Sequence, residues 1–291
     1  MSLKHKIFMN ALWVLPNESA NKILYRRSIS KKLNLDSPMD LNEKIQWLIL
    51  NKYGKNEAKL ADKYLVKKFV DGKHIKGLVV PKTLKIYHDA RNISLDELPD
   101  KFVLKCNHGS GRVYICKDKN TFDLENIRSE LNRELKRDFA KVNLEYHYSF
   151  IKPVIIAEEY LDDGVHKNPI DYKFYCFNGK AESILVCSNR ENELKLNDFD
   201  LNWNELDYTF EKYRSNEKLK RPTKLREMIR IAEELSCGMP FVRVDLYEIN
   251  RKIYFGEYTF TPAAGMIYYY KQKALRCLGD KINLEDYNSR R

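Results

Sequence analysis

The chain has no cysteine pair at C-x-x-C spacing and no histidines set beside cysteine as zinc ligands would be. Its six cysteines, Cys106, Cys116, Cys176, Cys187, Cys237 and Cys277, stand apart, most of them inside apolar runs. That pattern is not a disulfide scaffold, and it fits buried thiols in a reducing compartment. Glycine (11) and proline (9) are scarce in 291 residues, which favours strands and helices over long loops. No apolar run reaches the length of a membrane-crossing helix. Lys4-His5-Lys6 ahead of Ile7-Phe8-Met9 and Ala11 to Leu15 has the outline of a secretory leader. However, Asn10 interrupts the run and Pro16-Asn17-Glu18 stands where small residues are needed, so a short amphipathic or core-packing helix in a cytoplasmic protein is expected. No block of five like charges occurs either. The net charge of +11 is spread among acids, as in Lys212-Tyr213-Arg214, so a solvated basic surface or a small anionic ligand is expected rather than nucleic acid.

What is present is an ordinary globular balance, 43% hydrophobic and 32% charged, enough for one compound domain or two to three small ones. The first ninety residues read as helical. Asp40-Leu41-Asn42-Glu43 has the D-x-x-E form of a capping box ahead of the stripe Ile45, Leu48, Ile49, and a second helix is expected from Ala58 to Val70. Leu78 to Pro81 reads as a short strand entering a loop. Strands follow at Phe102 to Cys106 and Val113 to Cys116, then a helix with Leu124, Ile127, Leu131 and Leu135 on one face, then the apolar run Val154 to Ala157. Asn178-Gly179 between Tyr172–Phe177 and Glu182–Cys187 is the strongest hairpin signal in the chain. Residues 190 to 222 are polar and read as a long excursion or an irregular subdomain. A helix from Lys224 to Leu235 precedes strands at Phe241 to Tyr247 and Ile253 to Tyr258. The class is α+β with mainly antiparallel sheets.

Three constellations carry chemistry. Lys105 ends an apolar strand, and His108-Gly109-Ser110-Gly111-Arg112 turns into the return strand. The glycines allow backbone amides to approach phosphate oxygens and Lys105 supplies charge, although such a tip, taken alone, is more often a plain turn. His108 there could transfer a proton, hydrogen-bond a phosphate, or pack; phosphate contact is the reading taken. In Val242-Arg243-Val244-Asp245 and Gly256-Glu257-Tyr258-Thr259, alternation puts Arg243 with Asp245, and Glu257 with Thr259, on single faces of neighbouring strands. Carboxylates in apolar strands need a reason, either Mg²⁺ bridging phosphates or a salt bridge to Arg243. Ala157-Glu158-Glu159-Tyr160-Leu161 is a strand running out into acids, a place to read an adenine edge.

The order strand-Lys, Gly-rich hairpin, E-E-Y-L, R-x-D and G-E-x-T-x-T-P resembles the ATP-grasp superfamily, and within it the TupA-like (teichuronopeptide-biosynthesis) branch. The resemblance also takes in Asn42 to Trp47, Ala61-Asp62-Lys63-Tyr64, Asp171-Tyr172-Lys173-Phe174 and Phe177 to Lys180, roughly residues 25 to 275. It implies two α+β subdomains gripping ATP between mainly antiparallel sheets: a helical N-terminal region over 1–95, a small subdomain with the hairpin over 96–160, and a large subdomain with the metal site over 161–291. It implies that Lys105, His108, Gly109, Ser110, Gly111 and Lys117 contact the phosphates. Glu158, Glu159, Tyr160 and Leu161 would form the adenine and ribose hinge, and Asp245, Glu257 and Thr259 would hold Mg²⁺. Arg243 and Lys173 would serve catalysis. Thr259 stands where many such ligases have Asn, which leaves a second metal in question. The implied reaction joins a carboxylate, a uronic acid of a surface or capsular polysaccharide or its precursor, to an amine, with possible peripheral association with a membrane-bound polysaccharide assembly. Asp198-Phe199-Asp200 has the D-x-D form of a glycosyltransferase and is the competing reading, although its polar setting reads as a surface turn.

Overall fold

The computed structural model describes residues 3–110, 112–162, 164, 170–188 and 194–288. Period-two alternation of apolar residues builds two sheets. The larger has seven strands in the order β1-β11-β10-β6-β7-β8-β9, and the smaller has four in the order β2-β5-β3-β4. In the large sheet these are β1 (Leu78–Val79), β6 (Asp171–Phe177), β7 (Lys180–Ser188), β8 (Lys195–Phe199), β9 (Glu205–Leu206), β10 (Phe241–Ile249) and β11 (Lys252–Thr259). The small sheet contains β2 (Thr83–Tyr87), β3 (Phe102–Cys106), β4 (Val113–Cys116) and β5 (Ile155–Glu159). Every pairing is antiparallel except β1 with β11.

The central strand β6 shows why both faces of the large sheet are covered. Phe174 and Cys176 point to one core with Val242, Val244 and Leu246, while Tyr175 and Phe177 point to the other with Leu185 and Phe241. The first face is roofed by α5 (Leu65–Asp71) through Val66 and Val70, and by α8 (Leu225–Ser236) through Met228, Ile231 and Leu235. The second is roofed by α3 (Leu41–Asn51) through Leu41, Ile45 and Ile49, and by α9 (Gln272–Gly279) through Leu275 and Leu278. Burying each of these aliphatic side chains stabilises the fold by about 1.5–3 kcal/mol. The small sheet packs Phe102, Leu104, Ile155 and Ala157 on Leu131 of α6 (Leu124–Leu135). Ahead of these, Met9 and Leu12 of α1 (Leu3–Trp13) pack with Leu24 and Tyr25 of α2 (Asn17–Ile29), so the N-terminal apolar run fills a core.

Local signals set several boundaries. Asp40 caps α3 by accepting from the Glu43 amide at 3.0 Å, and the Glu43 carboxylate accepts from the Asp40 amide in return. Asn178 and Gly179 take φ of 51° and 77°, the left-handed pair a tight hairpin turn requires. Two expectations are revised. The single helix from Ala58 to Val70 is instead α4 (Lys55–Ala61) and α5, broken at Asp62, whose φ/ψ of −68°/112° is extended. Its carboxylate accepts the amides of Tyr64 and Leu65 at 2.8 and 3.1 Å and restarts the helix, while Asn107 donates to its other oxygen at 2.8 Å. The excursion after residue 190 also contributes β8 and β9 to the sheet. Trp203 stacks on Phe199 with centroids 4.2 Å apart, sealing that end of the core.

Candidate active site

The two sheets meet over a cavity of about 570 Å³. The small sheet supplies Val103 and Lys105 from β3, Val113 and Ile115 from β4, and Glu158 at the end of β5. The register sets Val103 opposite both Ile115 and Glu158, and Lys105 opposite Val113, so these five share the face turned to the cavity. Tyr247, Phe255 and Gly256 come from the large sheet, and Lys63 and Lys67 reach in from α5 and the break before it. Apolar walls with a few lysines at one end suit a flat base carrying an anionic tail.

Glu158 is the buried anchor of the small-sheet side. Lys105 Nζ lies 2.6 Å from one carboxylate oxygen and Lys67 Nζ 2.7 Å from the other. Burial alone would raise the Glu158 pKa; the charges of Lys105 and Lys67 overcome it and hold the carboxylate below its usual range. Burial lowers the Lys67 pKa in turn, against the pull of Glu158. Two cations on one carboxylate leave surplus positive charge facing the cavity.

On the large-sheet side, Arg243 and Lys173 of the sheet and Lys63 from the break before α5 interleave with three carboxylates. Asp245 is paired across the strands with Glu257 on one side and Lys173 on the other, and Arg243 with Thr259. The Arg243 guanidinium grips Asp245 through both oxygens, at 2.7 and 2.8 Å, and donates to Thr259 Oγ1 at 2.9 Å. Lys173 bridges Asp245 and Asp171, lying 2.9 Å from the latter. Lys63 Nζ sits 3.0 Å from Glu257, which joins this cluster to the cavity. Burial pushes the Lys173 pKa down, but Asp171 and Asp245 hold it above the ordinary lysine range. Glu257 is held well below the carboxylate range because Lys63, Lys173 and Arg243 outweigh its desolvation. A bulge places Gly256 against the Asp245 carbonyl, where a Cβ would lie 2.8 Å from that oxygen.

The remaining expected residues fall in different places. Glu159, Tyr160 and Leu161 line the cavity mouth, and Glu159 also accepts the Lys82 amide at 2.8 Å. Lys117 is exposed and lies over the Tyr160 ring, 5.1 Å from its centroid. His108 does not line the cavity: it is buried, shares Nε2 with the Arg137 carbonyl at 3.2 Å, and burial lowers its pKa, so it is neutral at pH 7. Gly109 has the Phe139 ring packed where a Cβ would be, and Ser110 is exposed on the outer side of the hairpin. Gly111 lies outside the described residues. The D-x-D pair is structural. Asp198 is buried, held by Thr209 at 2.7 Å and by Tyr270, while Asp200 caps the β8–β9 turn through the Asn202 and Asn204 amides. Sequence reading gave no role to Lys63, Lys67 or Asp171, although Lys63 and Asp171 fall inside segments it singled out.

Among the described residues no group of three or more His, Cys, Asp or Glu side chains could hold a metal alone. A fit for Mg²⁺ therefore means one or two carboxylates with the other ligands drawn from phosphate and water, which is the usual mode for that ion. Glu257, with about a third of its side chain open, has the free face such a ligand needs, whereas both Asp245 oxygens are engaged by Arg243 and Lys173.

Antiparallel sheets closing on a nucleotide-sized cavity, with acids paired across the strands beside it, are the architecture of an ATP-grasp enzyme. The family described as TupA-like ATPgrasp matches residues 43–283, and the chain belongs to that family, an ATP-dependent ligase of ATP-grasp fold. Among solved structures it is similar to D-alanine–D-alanine ligase from Bacillus anthracis (19% identity, 79% of this chain and 69% of that one, TM-score 0.45). It is similar as well to the ATP-grasp ligase PsnB complexed with minimal precursor (12%, 75% and 59%, TM-score 0.41) and to a RimK domain ATP-grasp protein from Sphaerobacter thermophilus (13%, 77% and 67%, TM-score 0.41). These likenesses are distant, and none bears on which substrates this chain uses. None of the curated proteins compared matches the sequence.

Proposed function

We propose that the chain phosphorylates a carboxylate with ATP and passes the acyl group to an amine, the acid being a uronic acid of a surface polysaccharide or its precursor. A carboxylate oxygen attacks the γ-phosphorus and ADP leaves. The amine nitrogen then attacks the acyl carbon, inorganic phosphate leaves, and the amine gives up a proton. Such chemistry depends on alignment and charge neutralisation rather than on a side-chain nucleophile.

The observation that carries this reading is the Arg243–Asp245–Lys173 array joined to the cavity through Lys63 and Glu257. Buried, fixed cations beside a nucleotide-sized space stabilise charge building on a transferred phosphoryl group and on the tetrahedral adduct. In this reading Lys105 and Lys67 meet the α- and β-phosphates, and Glu159, Tyr160 and Leu161 hold the base and ribose. Arg243 and Lys173 face the reacting phosphate and carboxylate. Glu257, with Asp245 and Thr259 beside it, would hold Mg²⁺, which neutralises phosphate charge when bound. His108 and Gly109 shape the root of the hairpin tip, with Ser110 and Lys117 at its rim.

The test is ADP release from Mg-ATP across a panel of uronic acids and amines. Release that requires both partners is expected; turnover supported by no acid–amine pair, or by acid alone with no amide formed, would overturn the proposal. Mg-ATP should also stabilise the fold by mass action, by about 2.7 kcal/mol at a hundredfold excess over Kd, and so raise the melting temperature.

A further inference from the structure

The helix α1 is apolar on two sides, and the fold covers one of them. Its inner side packs Met9 and Leu12 with Leu24 and Tyr25 of α2, with Leu144 just after α7 (Ala140–Asn143), and with Ala264 and Met266. Its outer side carries Ile7, Ala11 and, one residue past its end, Val14, at steps of four and three that align them in one stripe. All three are exposed, Ile7 to 61% and Val14 to 82%. Leu15 extends the stripe into the turn before α2, and Ile23 stands exposed on the outer side of α2. A single exposed aliphatic residue needs no explanation; a stripe of them along one helical hairpin marks a surface that meets something apolar.

Cations border this stripe. Lys4 and Lys6 flank it on α1, and Arg26 and Arg27 lie one turn beyond Ile23 on α2, all four exposed. The Arg27 guanidinium sits 4.1 Å from the centroid of the Phe8 ring, which joins the outer sides of the two helices. Across α1 and α2 the one acid is Glu18, and Lys22 takes it at 2.5 Å. Lys4, Lys6, Arg26 and Arg27 stand in no ion pair among the described residues. The family match begins at residue 43, so both helices lie ahead of the part of the chain that the family describes.

We propose that the outer face of the α1–α2 hairpin docks on an anionic phospholipid bilayer, with Ile7, Val14, Leu15 and Ile23 entering the interface and the four free cations meeting lipid phosphates. Aliphatic side chains bounded by lysine and arginine place a helix in the plane of such a surface, its apolar side in the headgroup boundary. At 11 residues α1 is too short to cross, since a span needs about 20. A second copy of the chain does not suit this face, because a twofold contact would set the same cations against each other. The hairpin is also pinned to the body. Tyr146 donates to Asn21 at 2.8 Å, Asn21 to Gln46 at 2.7 Å, and Gln46 to the Ala264 carbonyl at 2.8 Å. Ala264 follows β11, the strand that carries Glu257, so docking sets the bearing of the large sheet to the bilayer. None of this depends on the ligase reading above.

The test is co-sedimentation of the full chain with vesicles of phosphatidylcholine alone, and of phosphatidylcholine containing about one third phosphatidylglycerol. Binding to the anionic vesicles is expected, weaker on the neutral ones and weakened again by added salt. Ile7→Ser with Val14→Ser removes the apolar stripe, and Lys4→Glu with Arg26→Glu reverses charge beside it. Each pair should weaken vesicle binding by about tenfold or more. Each should keep the wild-type melting temperature, because the altered side chains are exposed. The proposal is overturned if anionic vesicles do not bind, if neutral ones bind as tightly, or if charge reversal changes nothing. Unchanged binding by the Ile7→Ser, Val14→Ser protein leaves only the attraction of a basic chain to any anionic surface, and overturns it as well. So does self-association of the free chain that this variant abolishes, or capture by polyaspartate as tight as by the vesicles. Vesicle binding is read without turnover, so a failed ligase assay does not decide this test.

Discussion

At the scale of single residues, Arg243 is the side chain whose geometry is least replaceable. Its fork satisfies both Asp245 oxygens and still reaches Thr259 at 2.9 Å, and both partners sit with it on one face of β10 and β11. A lysine there keeps the charge but loses the two-pronged grip. Arg243→Lys is expected to lower kcat on the order of 10²–10³-fold, the usual effect of removing one preorganised charge-stabilising donor. The ATP dissociation constant should change little, because Lys105 and Lys67 carry that contact. Single-turnover kinetics beside equilibrium nucleotide binding separates the two, and an unchanged kcat would remove Arg243 from the reaction. Arg243, Asp245 and Glu257 were legible in the sequence because charge inside an apolar strand needs a partner. Lys63 and Lys67 were not: at a four-residue spacing in a helical stretch they look solvated. Lys67 is only 8% exposed because α5 lies across the cleft and aims it at Glu158.

At the scale of elements, the β10–β11 pair owes its alignment to one glycine. Register shifts between Asp245 and Leu246, and Gly256 is the extra residue that lets Asp245 face Glu257 while Leu246 faces Phe255. A methyl at Gly256 would lie 2.8 Å from a backbone carbonyl and 3.0 Å from the Tyr247 ring, and a backbone oxygen cannot rotate aside. Gly256→Ala should therefore cost about 1–3 kcal/mol, the range for overpacking a tight site, and should weaken Mg-ATP binding as the two carboxylates separate. Chemical denaturation and nucleotide titration check both, and a variant with wild-type values in each would show that the bulge tolerates a side chain. The same scale explains the helix misread at Asp62. The step from Ala61 to Val66 is five residues, so the helical stripe slips at Asp62, and the two pairs pack in different cores. Asp62 caps the second helix locally, and the Asn107 amide 45 residues away adds a tertiary hold on its other oxygen. The capping box at Asp40 and the Asn178-Gly179 turn involve only neighbouring residues, and both could be read directly.

Across the whole molecule, buried carboxylates of two kinds set how stability depends on pH. Glu158 and Glu257 are held below their ordinary range by lysine and arginine charge, so their contribution is present above the unfolded value of 4.5 and lost as pH falls through the folded one. Glu145 and Asp198 are opposite: burial raises each to about 7 against the hydrogen bonds from Thr261 to the first and from Tyr270 and Thr209 to the second. Their contribution is complete below the unfolded values of 4.5 and 3.8 and is lost as pH rises toward and through about 7. Burial lowers His147 to about 4 and lowers His108 as well, so these two oppose the decline below the unfolded histidine value of 6.5, and the melting temperature should fall between about pH 6.5 and pH 8. Asp198 lies on β8, the strand that carries the large sheet past β7, and its partners tie that strand to the segment just after β9 through Thr209 and to the chain after β11 through Tyr270. Asp198→Asn keeps a polar group of the same shape between Thr209 and Tyr270 but cannot ionise. It should flatten the decline between about pH 6.5 and pH 8 while leaving the acid limb in place. If the variant's melting temperature falls with the wild-type slope over that interval, ionisation of Asp198 is not what loosens the sheet, and Glu145 alone must carry the alkaline limb.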